Sequence, residues 1–380
     1  MHPRFAARTV GIQTSGIRKM FEIASKDAVH LGLGEPDFQP PAEVQAALSR
    51  AVAAGQNKYA SISGIPDLKA AIADYNRHYR PDLSAEQVVV TIGGSEALWV
   101  AALGFYDHGD EVLIPDPGFV FYGPHARLMG ATPVPYTLRQ EDGFLPREEE
   151  LKDLVGPKTK AIVVNSPSNP TGGVFSEQHA RAIADLAADH DLVIISDEVY
   201  DRLVYEGSHH SMLTYSDRTV MVNSFSKTLA MTGWRLGYLI ADHEVAEKLG
   251  MLHYYTVACA PTPVQVAAVA GLSSDGTFLA AMKKAFRARR DRIVARLNGI
   301  EGFHCPAPKG AFYAMPTVDF RLPDQELAMH LLRNGVVCSP GSAFGAAGAG
   351  HLRFSYATSE ATIDEGMDRI AAAVKDLPRT

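Results

Sequence analysis

Cysteine is scarce: the chain has three, Cys259, Cys305 and Cys338, widely spaced and with no CxxC pair. That sparsity excludes a disulfide framework and a cysteine-built zinc site, and it fits reduced thiols of the cytosol. Long apolar runs are missing too. None reaches the ~18 residues of a membrane span, and Met1-His2-Pro3-Arg4-Phe5 carries no apolar signal core. Basic charge is not in excess; the formal net charge is −7, which argues against a dedicated nucleic-acid surface. Internal repeats and extended low-complexity segments are lacking as well. What remains, 46% apolar and 21% charged over 380 residues, is the composition of an ordinary globular protein of two domains. A cytoplasmic protein is expected.

Residues 1–45 read as an arm and a lead-in loop, with a short helix over 15–24. In Leu31-Gly32-Leu33-Gly34-Glu35-Pro36-Asp37-Phe38, two glycines and a proline break regular structure. Gly34 suits close approach of backbone to a ligand, and equally a plain turn. Helices are expected over 41–54 and 65–79, with a polar loop at 59–64. From residue 87 onward, short β-branched runs alternate with helical segments. The runs are 87–92, 111–114, 132–136, 161–165, 192–197, 220–225 and 236–240. Several are apolar at every position, as strands covered on both faces are. Between them 176–190 is an amphipathic helix, with Ser176 as N-cap and Glu177 in its first turn. The alternation predicts an α/β fold built on a mainly parallel, doubly wound sheet of seven strands.

After Ser274 the alternation stops. A basic helix over 278–298 places Leu279, Met282, Phe286, Ile293 and Leu297 on one face and closes at Asn298-Gly299. Its arginines and lysines read as a solvated face rather than an RNA-binding stripe. Strands over 303–315, 336–339 and 351–355, with a flexible glycine-rich loop at 345–350, complete a smaller α+β part. The expected division is 46–275 as a large domain, with 1–45 and 276–380 as a small domain plus arm.

Ligands of open parallel sheets bind beyond the carboxyl ends of the strands, and four unusual segments fall there. Gly93-Gly94-Ser95-Glu96 opens a helix, where bare backbone N–H groups favour a phosphate or form a plain turn. Asn165-Ser166-Pro167-Ser168-Asn169-Pro170-Thr171-Gly172 is a stiff loop able to present an amide to a ring oxygen. Asp197-Glu198-Val199-Tyr200 ends an apolar strand, where a carboxylate is costly without a cationic partner such as a protonated pyridine nitrogen. Ser224-Phe225-Ser226-Lys227 follows another such strand, with Arg235 eight residues on. A lysine among apolar strands and cations becomes a nucleophilic amine, and the hydroxyls and arginine suit a phosphate. Amine and phosphate cradle together are what lysine-bound pyridoxal phosphate requires.

These motifs, Asn-x-Pro-x-Asn-Pro-Thr-Gly, Asp-Glu-x-Tyr and Ser-x-Ser-Lys followed by Gly-x-Arg-x-Gly, resemble those of the class I/II aminotransferases, the fold type I pyridoxal phosphate enzymes. The resemblance extends from Leu33–Phe38 through Lys309-Gly310-Ala311-Phe312-Tyr313 to Pro340–Gly345. It implies that Lys227 is the Schiff-base lysine and proton shuttle and that Asp197 is the pyridinium partner. Asn169 and Tyr200 would bond the ring hydroxyl oxygen, and Phe119 would stack on the ring. Gly94, Ser95, Glu96 (through backbone or side chain), Ser224, Ser226 and Arg235 would hold the phosphate, joined by Tyr59 from the neighbouring subunit of a homodimer with shared sites. Arg353 would clamp the substrate α-carboxylate, near Gly34, Asn169 and Ile17.

One departure bears on substrate. Many aspartate-specific members of the subgroup carry a lysine where this chain has Ser95, and no second arginine replaces it. Ile17, Phe21 and Phe312 would add apolar surface. The expected reaction is transamination between an L-amino acid (aromatic, apolar or broad, aspartate included) and a 2-oxo acid such as 2-oxoglutarate. The alternative is a cystathionine-type C–S β-lyase on the same fold. A non-enzymatic regulator would need an added DNA-binding module, for which the sequence has no basic stripe.

Overall fold

A computed structural model describes residues 5–10, 12, 25 and 27–379. The helix expected over 15–24, with Ile17 and Phe21, lies outside them. All seven runs become strands of one sheet: β1 (Val88–Thr91), β2 (Glu111–Asp116), β3 (Thr132–Thr137), β4 (Thr159–Asn165), β5 (Val193–Asp197), β6 (Thr219–Ser224) and β7 (Gly237–Ile240). Their order across the sheet is β1-β7-β6-β5-β4-β2-β3. Only β7 runs against the rest, antiparallel to both β1 and β6.

The unbroken apolar runs follow from burial on both faces. Val89, Val163, Ile195, Val222 and Leu239 pack on one side against Ala97, Val100 and Ala101 of the Gly93–Phe105 helix. Their neighbours face the other way: Val90, Met221 and Ile240 meet Leu68 and Ile72, while Ile162, Val164 and Ile194 meet Ile183 and Leu186. The last two belong to the Glu177–Asp189 helix, which Ser176 caps as expected.

Register brings the carboxyl ends together. Asn165 lies opposite Asp197, and Gly237 lies opposite Thr91 on one side and Ser224 on the other. A Cβ at Gly237 would sit 2.6 Å from the Gly93 and Gly94 backbone. Glycine alone lets β7 pass beneath the start of that helix.

The remainder departs from expectation. The strand expected over 303–315 is two short pieces, Phe303–His304 and Tyr313–Ala314. Pro306 and Pro308 lack the N–H a ladder needs, and Ala311 has a positive φ of 57°. The run 336–339 also divides: Val336–Val337 pairs with Val29–His30, and Ser339–Pro340 with Leu352–Ser355. The basic helix, Thr277–Asn298, is not merely solvated. Arg290 is buried on its inner face, held by Glu206 (2.7 Å) and Pro308 O (3.1 Å). Arg289 forks onto Asp37 at 2.7 and 2.9 Å, and Arg292 and Arg296 pair with the Glu360–Val374 helix. The glycine-rich run at 345–350 is also more than a flexible loop. It begins within a pair of 3-10 turns, Gly341–Phe344 and Ala346–Gly348.

Candidate active site

Beyond the carboxyl ends of β1, β4, β5 and β6 lies a cavity of about 480 Å³. At one end are the Gly93–Phe105 helix N-terminus (Gly94, Ser95), Ser224, Ser226 and Arg235. Ser224 Oγ lies 2.8 Å from Ser226 Oγ and accepts the Ser226 N–H at 3.1 Å. Arg235 takes a left-handed φ of 55°, which turns its guanidinium back over Gly93. A Cβ on Gly93 would meet Arg235 Nη2 at 2.7 Å. Helix dipole, bare N–H groups, hydroxyls and a cation converge there: an anion cradle.

Lys227, on the short Phe225–Thr228 helix, reaches into the middle of the cavity, where Nζ donates to Gly34 O at 2.6 Å. Burial pushes its pKa down to about 8; Glu35 opposes the change, and Arg235 and Arg353 add to it. Asp197, at the end of β5, is buried and its pKa is pushed up to about 6 by that burial. Tyr122 donates to its Oδ2 at 2.7 Å, and the Val199 N–H approaches Oδ1 at 3.4 Å. Phe119 lines a wall of the cavity.

On the far side Arg353 is 5% exposed. Its Nη1 donates to Asn169 Oδ1 (2.9 Å) and its Nη2 to Gly32 O (2.5 Å). The rings of Tyr313 and Phe344 each centre 4.6 Å from its guanidinium carbon. Burial lowers its pKa. Tyr200 lies hydroxyl to hydroxyl with Tyr313 at 2.8 Å.

The cavity thus gathers Gly34, Gly94, Ser95, Phe119, Asn169, Asp197, Tyr200, Ser224, Ser226, Lys227, Arg235 and Arg353. For Glu96, of the two routes expected, the backbone is the one left open. Its carboxylate turns away to accept the Ile92 N–H (2.6 Å) and meet His253 Nδ1 (2.6 Å), leaving only its backbone for an anion. The helix turn demands this, since Glu96 caps its own N-terminus. Tyr59 does not line the cavity and is 91% exposed. Phe312 is buried behind Tyr200, and its neighbour Tyr313 faces the cavity instead. Gly34 serves close approach: a Cβ there would fall 2.0 Å from the Tyr313 hydroxyl oxygen.

Tyr122, Tyr313 and Phe344 are functional candidates the motifs did not single out. Only Tyr122 left a signal, three residues after Phe119 and so on the same side of a helical turn.

Anion cradle, buried carboxylate, ring-sized wall and buried amine fit pyridoxal phosphate group by group. Among the described residues, no cluster of three or more metal-ligating side chains occurs.

A family model for class I and II aminotransferases matches residues 26–370. The chain is 40% identical to an aspartate aminotransferase of Pyrococcus horikoshii, over 97% of each protein. It is 37% identical to aromatic-amino-acid aminotransferase 2 of Thermococcus litoralis, over 96% of this chain and 97% of that one. The solved structure of a Thermus thermophilus aspartate aminotransferase with maleate superposes with a TM-score of 0.92 at 35% identity, over 98% of this chain and all of that one.

Proposed function

The chain belongs to the class I and II aminotransferases, pyridoxal phosphate enzymes that pass an amino group between an amino acid and a 2-oxo acid, and from that premise we propose how its residues divide the reaction. The observation that carries the reading is the convergence of Lys227, Asp197 and Arg353 on one buried cavity. Bound pyridoxal phosphate supplies the aldehyde carbon that receives the amino group and a ring that withdraws electrons from the substrate α-carbon.

Lys227 would hold that aldehyde carbon between turnovers, and its freed Nζ would carry the proton from the substrate α-carbon to the carbon that had been the aldehyde. A pKa near 8 leaves part of the amine neutral at ordinary pH, as a base requires. Asp197 keeps a proton on the ring nitrogen, and the cation it gains offsets the cost of its burial. Gly94, Ser95, Ser224, Ser226, Arg235 and the Glu96 backbone hold the phosphate. Asn169 and Tyr200 orient the ring hydroxyl, and Phe119 stacks on the ring. Arg353 clamps the α-carboxylate of either substrate bidentately. Tyr59, exposed in one chain, reaches the site of a second copy in a homodimer. Residues 46–275 form the cofactor domain; 1–45 and 276–380 form the small domain. We place the protein in the cytoplasm.

The donors we propose are aromatic or other apolar amino acids, used at least as well as aspartate, with 2-oxoglutarate accepted. Leu33, Leu98, Val120, Val199 and Phe344 give the cavity apolar walls. Among the described residues the cations lining it are Lys227, Arg235 and Arg353, each already assigned, so none of these is left to pair with a side-chain carboxylate. Relatives with both preferences lie at similar identity. The comparisons give the β-lyase alternative no support. Mixing the holoenzyme with each common amino acid in a single turnover, then measuring kcat/KM with 2-oxoglutarate, tests the reading. A preference for aspartate over phenylalanine, tyrosine and alanine of about a hundredfold would refute it. Pyruvate and ammonia formed without an acceptor would restore the lyase.

A further inference from the structure

Two walls of the cavity come from distant parts of the chain. The loop after β2 supplies Phe119 and Val120, and the turn Gly341–Phe344 supplies Phe344. Asp116, the last residue of β2, joins them. It is buried; its Oδ2 accepts the Ala346 N–H and its Oδ1 the Ala347 N–H, each at 3.0 Å. The Gly118 N–H adds a third bond, to Phe344 O at 2.9 Å. Gly345 has a φ of 137°, and a Cβ there would fall 2.0 Å from Asp116 Oδ1. Glycine is therefore what lets the turn close on the carboxylate. On the other side Asp324 Oδ2 accepts the Ser342 N–H at 2.8 Å. Phe344 is gripped from both directions.

We propose that Asp116 is a positioning residue for substrate: its carboxylate clamps the Gly345–Ala347 turn to the end of β2 and so fixes Phe344 against the Arg353 guanidinium. The inference rests on the reading of Arg353 as the α-carboxylate clamp. Arg353 is held between the rings of Tyr313 and Phe344. Releasing the Phe344 wall frees the guanidinium to turn and admits water, which weakens a charge-assisted bond. Amino donor and 2-oxo acceptor both carry a carboxylate beside the reacting carbon, so both suffer alike. Asp116 bonds none of the residues assigned to the phosphate, and Phe119 stays on its own side of the clamp beside β2, so the phosphate cradle is spared.

The test compares Asp116→Asn, Asp116→Ala, Gly345→Ala and Arg353→Lys as holoenzymes. Asparagine keeps the size but sets an N–H donor against the donors of the turn. For the Asp116 and Gly345 variants, KM for the amino donor and for 2-oxoglutarate should rise together by about tenfold, with kcat within about threefold. Cofactor affinity by fluorescence titration should not change. Because both changes break one clamp, the Asp116→Ala/Gly345→Ala double variant should be no worse than the poorer single one. If Asp116→Ala does not fold, Asp116→Asn and Gly345→Ala carry the comparison. Should Arg353→Lys raise both KM values while Asp116→Asn and Gly345→Ala leave them within about twofold, the clamp is wrong and the Arg353 reading stands. Unchanged KM values in Arg353→Lys would overturn both. A fall in kcat and cofactor affinity alongside KM would make Asp116 structural and overturn the proposal.

Discussion

Replacing Asp197 with asparagine separates what the carboxylate costs the fold from what it gives the cofactor. Burial raises its pKa from 3.8 to about 6. A group whose pKa rises on folding contributes stability in its protonated form. That contribution is complete below the unfolded pKa and is lost as pH climbs through the folded one. At 1.36 kcal/mol per unit, the rise of about 2 units amounts to about 3 kcal/mol in all, of which about half is lost between pH 5 and pH 8. Asparagine does not titrate, keeps an acceptor for Tyr122, and escapes this loss. In urea titrations of cofactor-free protein, the variant should therefore gain on the parent by about 1–2 kcal/mol between pH 5 and pH 8. Lys227, with a depressed pKa near 8, is charged in both states over most of that window, and its interaction with Asp197 is the last-named cause at each group, after burial. Adding pyridoxal phosphate should reverse the order, because only the carboxylate gains a ring cation. An apo variant with the same pH slope as the parent would sink the argument, and so would a holo variant that binds cofactor as tightly.

Lys227→Ala should keep the fold, measured by circular dichroism, and abolish turnover; transamination within tenfold of the parent would remove Lys227 from its role. Tyr122→Phe deletes a buried hydrogen bond to a charged acceptor, about 1.5–3 kcal/mol, and should move the Asp197 titration up by about 1–2 pH units in carboxyl-labelled NMR of the apoprotein. An unmoved titration would make Tyr122 a packing residue. Mixing Lys227→Ala chains with Tyr59→Phe chains should give hybrid dimers in which one site carries neither defect, so activity should exceed that of either parent. No gain after confirmed subunit exchange would place Tyr59 in its own chain's site or outside any.

The large sheet was legible because its strands are buried on both faces. Val88–Thr91 and Thr219–Ser224 are buried at every position, so an unbroken apolar run could mean little else. The site residues on those strands were legible for the same reason. Asp197 is the charged last residue of the mainly apolar Val193–Asp197, and Lys227 comes three residues after Thr219–Ser224 ends. The two-residue strands Tyr313–Ala314 and Ser339–Pro340 had no such pattern to offer. A period of two needs more than two residues to be seen, and prolines at 306, 308 and 340 obscure what little there is. Tyr313 was hidden inside that segment, and Phe344 inside a turn whose shape is set from elsewhere. Asp116 meets Ala346 across 230 residues of chain, a contact no local pattern announces.

One physical cause runs through the two key titrations. The cavity that removes water from Lys227 also removes it from Asp197, and burial is the first cause of both shifts, down to about 8 and up to about 6. In each case burial favours the neutral form, which serves the amine and works against the carboxylate. Arg235 and Arg353 lean the same way on Lys227, since like charge disfavours the ammonium. Tyr122 and the Val199 N–H lean against burial at Asp197, keeping part of that carboxylate ionised. The asymmetry suits the reaction. The amine has to be neutral to attack and to take a proton, whereas the carboxylate has to be charged to hold a ring cation. Arg235 and Arg353 push Lys227, and Tyr122 and the Val199 N–H push Asp197, towards the state each needs, against Glu35 on the first and Glu198 on the second; burial sharpens these interactions by lowering the dielectric around them. An exposed lysine and aspartate at the same spacing would have neither property.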